Sequence, residues 1–158
     1  MLGIVYSSEA RSGLDEQELH DLAQAAQESN RRAGITGYLF CHGDRFVGYL
    51  EGPDQAVEDV MAMIAADPRH EVRHVLRSAP LAQRRLHAWR MDTAGWREAL
   101  DLRLEHVLEV MLQQTTAPVF GKDRTRAAVW RLVDAIARRQ LQFGKPSRLA
   151  GTRLAFGR

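Results

Sequence analysis

The stretch SNRRAGITGYLFCHGDRFVGYLEGPD, residues 29–54, decides the fold. Residues 35–41 and 46–51 are two runs rich in β-branched and aromatic side chains. His42-Gly43-Asp44-Arg45 between them is a Gly-containing turn, so the spacing predicts a β-hairpin. Gly34 closes a helix ahead of the hairpin, and Gly52-Pro53-Asp54 opens a second helix after it, with Pro53 expected at the first helical position. Upstream, residues 15–32 place Leu19, Leu22, Ala23, Ala26 and Asn30 on one helical stripe, with Asp15, Glu16 and Glu18 in the first turn, where the helix dipole favours acids. Downstream, Val57, Val60, Met61 and Ile64 repeat at i, i+3, i+4 and i+7, and Asp67-Pro68 breaks that helix.

Residues 2–7 alternate with period two, putting Leu2, Ile4 and Tyr6 on one face of a strand. Residues 72–77 and 85–92 read as two further strands, the second containing Trp89 and Met91. The order is therefore βαββαβ plus one strand. It predicts an α+β, ferredoxin-like fold with both helices on one face of a largely antiparallel sheet. Beyond Gly95 the apolar stripes become helical over 96–114 and 122–142, separated by Pro118, and they need the other sheet face to cover. The expected organisation is residues 1–94 as the sheet domain, 95–145 as a helical extension packed on it, and 146–158 as a loose tail.

The chain has 158 residues, 45% of them hydrophobic and 27% charged, which suits one globular domain with a real core. No apolar run approaches the roughly 18 residues of a bilayer span, so a cytoplasmic location and no membrane partner are expected. Cys41 is the single cysteine, which forbids an internal disulfide and leaves six scattered histidines without a Cys-based zinc site. Residues 1–91 carry ten Arg against thirteen acids, whereas 92–158 carry twelve Lys or Arg against seven acids. The basic C-terminal part reads as a solvated helix face and tail ahead of a nucleic-acid surface, because it contains no recognised binding motif.

Two residues are odd for their positions. Asn30 puts an amide on an apolar stripe, where it needs partners unless it is half in solvent at the helix end. Tyr6 puts a phenol on an inward strand face, where a core role is the plain reading. Arg31-Arg32, Arg69-His70 and Arg84-Arg85 are each expected to meet solvent or a surface carboxylate. His70 and His74 would share a strand face about 13 Å apart, too far for one metal. Glu51 and Asp54 read as dipole partners of a helix start. No Gly-rich phosphate loop, nucleophile elbow or HExxH motif is present, and no acid/base pair is visible, so an enzyme is not expected.

Together, IVYSS, SNRRAGITGYLF, FVGYLEG, DPRH and RRLHAWRM, in this order over residues 1 to about 92, resemble the BLUF family of flavin-binding blue-light sensors. The resemblance implies a flavin ring held between the two helices. Tyr6, Asn30 and Arg32 would be polar contacts, Phe46 and the residue at 48 would lie on the strand beside the ring, and Arg69 and His70 would lie near its polar edge. It implies FAD as cofactor, with FMN and riboflavin as alternatives, since mainly the ring is needed. It also implies Tyr6 as an electron donor and Trp89 and Met91 as signal-output positions that otherwise serve as core. A homo-oligomer and a downstream protein partner are family-based expectations.

The sequence departs from the family at one position. The family's relay depends on a glutamine two residues before Leu50, and here that residue is Gly48. Flavin binding is thus expected with the usual photocycle absent or altered. The missing side chain is expected to leave a gap beside Tyr6 that water fills or the backbone closes, and Gly48→Gln is expected to restore a light-induced shift. The competing expectation is a degenerate fold that has lost flavin and acts as an interaction or oligomerisation module.

Overall fold

The computed structural model describes residues 1–11, 15–93, 104–116 and 121–143. Its elements are β1 (Leu2–Ala10), α1 (Glu16–Arg32), β2 (Thr36–His42), β3 (Arg45–Gly52), α2 (Asp54–Ala66), β4 (His70–Arg77), β5 (Trp89–Thr93), α3 (Leu104–Gln113) and α4 (Lys122–Phe143). The predicted segments 96–103 and 146–158 and the Pro118 break lie outside the described residues.

The five strands form one sheet in the order β4-β1-β3-β2-β5. β1 lies antiparallel between β3 and β4, and β2 and β3 form the predicted hairpin. The hairpin turns on Gly43, whose φ of 61° at the first central position favours a residue without a Cβ. β5 pairs parallel with β2, so the added strand departs from the antiparallel plan of the other four. The two split crossovers, β1-α1-β2 and β3-α2-β4, are what set the central strand order.

Local chemistry explains the helix starts. Asp15 caps α1: its carboxylate accepts from the Glu18 amide, and the Glu18 side chain accepts from the Asp15 amide. Pro53 is the N-cap of α2, one position earlier than expected, and its carbonyl accepts the Val57 amide. Its extended ψ of 136° keeps it outside the helix.

Pleating divides the sheet into two faces. Ile4, Tyr6, Leu39, Cys41, Phe46 and Leu50 face α2, packing with Val57, Val60 and Met61. Val5, Tyr38, Val47, Tyr49 and Leu76 face the other way, against Leu108 and Leu112 of α3 and Val129, Val133 and Ile136 of α4. In β4 the phase changes at a β-bulge: Ser8 pairs with Val72 but Ser7 with His74, leaving Arg73 as the extra residue. His74 therefore bonds Ser7, whose Oγ is 3.0 Å from its Nδ1, while His70 looks onto the α1 and α2 side. The two histidines occupy opposite faces, which corrects the expectation that they share one.

Among the described residues, no helix is long and apolar enough to cross a membrane. No cluster of three or more His, Cys, Asp or Glu among them could hold a metal.

Candidate functional site

Between α1 and α2, over the sheet, lies a groove of about 320 Å³. That size falls at the lower end of small-molecule pockets. Its floor is Tyr6 and Ser8 of β1, Leu39 of β2 and Phe46 of β3. One wall is Leu22, Ala25, Ala26, Ser29 and Asn30 of α1, and the other is Val60, Met63 and Ile64 of α2. Asp67, Arg69 and His70 stand at the end where α2 gives way to β4.

The polar groups are few and poorly satisfied by the protein. Among the described residues, Ser8 Oγ and His70 Nδ1 are buried with no hydrogen-bond partner. Asn30 is 4% exposed, and its backbone carbonyl accepts the Ile35 amide at 2.8 Å while its side chain lines the groove. A buried polar atom without a partner costs about 1–3 kcal/mol, so these atoms suit a ligand that brings donors and acceptors. Burial, helped by the nearby Cys41 thiol, pushes the Tyr6 phenol well above its ordinary 10, so Tyr6 keeps its O–H. Burial also holds the His70 imidazole below its ordinary 6.5, with Arg69 lowering it further and Asp67 partly opposing. The His70 ring lies 6.1 Å from that of Phe46, tilted against it.

Tyr6, Asn30, Phe46, Arg69 and His70 are thus brought together around one groove. Arg69 reaches it already paired: its guanidinium and its backbone amide both donate to Asp67. The side-chain hydrogen bonds from Arg69 hold the Asp67 carboxyl down at about 2. Arg32 is not brought in. It is exposed and bonded to Glu28, as is Arg31. Two residues of α-helix turn the chain by about 200°, so an inward Asn30 sends Arg32 outward. For Trp89 and Met91 the backbone register is defined, opposite Gly37 and Leu39 of β2, and their side chains lie outside the described residues.

Gly48 departs furthest from expectation. It is buried on β3 opposite Tyr6. A Cβ built there would lie 2.5 Å from the Tyr6 hydroxyl oxygen and closer still to two carbons of its ring. The expected gap does not exist, because the phenol ring fills it.

The opposite face holds a site that sequence reasoning missed. Glu51 is fully buried, and its carboxylate accepts from the Arg85 amide at 2.9 Å, the Leu86 amide at 2.6 Å, the Tyr49 hydroxyl at 2.8 Å and the Thr36 hydroxyl at 3.2 Å. Arg85 in turn donates to Tyr49 Oη and to Asp134 of α4, and its guanidinium lies over the rings of Tyr49 and Trp130. Arg84 donates to the carbonyls of Gly34 and Glu51 and to Thr36. Glu51 is therefore no dipole partner, and Arg84 and Arg85 do not simply meet solvent. Their amides and guanidinia serve this carboxylate and its strand, and β5 starts only at Trp89 rather than at residue 85. The signal was present, since Glu51 continues the Val47, Tyr49 alternation toward an interior face.

Comparison with known proteins agrees with this architecture. A family model described as "Sensors of blue-light using FAD", BLUF, matches residues 1–92. The structure titled "BlrB - a BLUF protein, dark state structure" superposes with a TM-score of 0.60 at 26% identity, covering 85% of this chain and 96% of that one. The structure titled "BlrP1 BLUF" does so with a TM-score of 0.56 at 31% identity, covering 87% and 90%. The photoactivated adenylate cyclase subunit alpha of Euglena gracilis is 28% identical over 127 residues, which are 80% of this chain and 12% of the cyclase subunit. The match from residue 1 to 92 takes in every element from β1 to β4 and nearly all of β5, and the chain belongs to the BLUF family, described as sensors of blue light using FAD.

Proposed function

We propose that the groove between α1 and α2 holds a flavin ring and that the protein is a blue-light sensory module working without the family's amide relay. The unpartnered Ser8 Oγ and His70 Nδ1, set in apolar walls beside the buried Asn30, carry this reading. A bound flavin supplies absorption of blue light and an acceptor for one electron. The chain supplies the rest. Leu22, Ala26, Val60 and Ile64 exclude water from the ring faces. Asn30 offers an amide that both donates and accepts, which suits a ring edge with alternating carbonyl and N–H groups. Tyr6 holds a proton on its phenol oxygen inside the floor. Gly48 offers no side-chain amide to rearrange, so the hydrogen-bond switch expected of the family has no carrier at that position.

The output is contact with an effector protein. The relatives named as photoactivated cyclases combine a similar segment with much more chain, and the α3 and α4 layer packed on the far sheet face is the route this module offers. The deciding experiment is the visible absorption spectrum of protein loaded separately with FAD, FMN or riboflavin, before and after a blue-light pulse. A structured flavin band with little or no reversible red shift is expected. Absence of a band with all three would overturn the reading and leave the fold as an interaction module. A full red shift would overturn the loss of the relay alone.

A further inference from the structure

We propose that Gly48 is a positioning residue for Tyr6, its lack of a side chain being what seats the phenol ring against β3 at the floor of the groove. Three observations carry this. Tyr6 and Gly48 are direct partners across β1 and β3. The position of a Cβ at residue 48 is already taken by the ring, 2.5 Å from its hydroxyl oxygen and nearer to two of its carbons, distances that real Cβ atoms do not tolerate. Gly48 is also absent from the residues with positive φ, so its backbone would accept any amino acid. Space, and not backbone strain, is what a side chain there would violate.

The obstructing atoms are not the loose end of a flexible chain. The Tyr6 ring is 4% exposed and packed in the core formed with Ile4, Leu39 and Phe46, so it yields only by leaving its rotamer. A phenol in this seat and a side chain at position 48 therefore exclude each other. Gly48→Gln does not simply return an amide to the groove; it also evicts Tyr6. Relative to the family pattern, the chain has exchanged a phenol plus an amide for a phenol alone. The polar floor is reduced to Tyr6 and Ser8 of one strand.

The seat can be tested without flavin. Gly48→Ala is expected to lower the melting temperature by roughly 5 °C through overpacking. In a Tyr6→Leu background, where no ring occupies the seat, the same change should cost about 1 °C or less. Equal losses in both backgrounds would overturn the proposal. A second readout rests on the flavin reading: emission of the bound flavin should be quenched by the seated phenol, released in Tyr6→Phe, and released to a similar degree in Gly48→Ala. Emission in Gly48→Ala as weak as in the parent protein would show that Tyr6 had not moved and would also overturn it. Failure to retain flavin removes the function proposed above, while the melting cycle still decides the seat.

Discussion

The two faces of β3 carry opposite solutions to burying polar groups. Phe46, Gly48 and Leu50 look toward α1 and α2, where Ser8 and His70 have unpaired atoms and a groove stays open. Val47, Tyr49 and Glu51 look toward α3 and α4, where a fully buried carboxylate has its bonds made by two amides and two hydroxyls. The first face leaves hydrogen-bonding capacity for a ligand. The second uses that capacity to tie the 84–86 segment, the hairpin and α4 together. One pleated strand can thus build a binding site and a structural clamp back to back, and substitutions should separate the two.

Removing the clamp should have the largest effect. Glu51→Ala leaves the Arg85 and Leu86 amides and the Tyr49 hydroxyl without their acceptor, so a stability loss of about 3 kcal/mol or more is expected in urea unfolding. A loss below about 1 kcal/mol would mean that the carboxylate does not hold this segment. On the groove face the expectation reverses. Asn30→Ala should leave folding nearly unchanged and weaken flavin retention by about 1–3 kcal/mol, read by equilibrium dialysis. Arg32→Ala, on the outer side of the same helix, is the control and should leave retention as it was. Equal effects at 30 and 32 would break the assignment of the groove wall.

The smallest expected effect is on pH dependence, and it touches both faces. Burial lowers the imidazoles of His70 and His74 from their ordinary 6.5, with Arg69 and Arg73 respectively adding to the shift. The unfolded chain therefore takes up protons near 6.5 that the folded protein refuses. Stability is complete above that value and falls as the pH drops below it. Melting curves at stepped pH should show this decline, and His70→Gln and His74→Gln should each flatten part of it. A parent profile that stays level from about pH 7 to about pH 5 would contradict the burial of both rings.

Much of this architecture was legible along the chain because its signals are local. The Gly43 turn, the alternation in 2–7 and 46–51, and the stripes of α1 and α2 each depend on neighbours within one or two turns. The inward placement of Asn30 and Tyr6 follows from the same periods, whereas their grouping with Phe46, Arg69 and His70 is what the family resemblance implies. The exclusion of Arg32 was also implicit in the helical period, although the resemblance pointed the other way. β5 starts later than its composition predicts because the amides of Arg85 and Leu86 are claimed by a carboxylate 34 and 35 positions earlier.

What the sequence by itself determined is the set of elements, their amphipathic faces and the absence of a glutamine at position 48, since these depend on residue identity and short-range periodicity. Only the tertiary structure decided that Glu51 is a clamp, that a bulge at Arg73 parts His70 from His74, and that the Tyr6 ring occupies the space at Gly48. Each of these depends on which strand lies beside which and in what register. Such non-local pairing is set by burying the whole sheet at once, and no single segment encodes it.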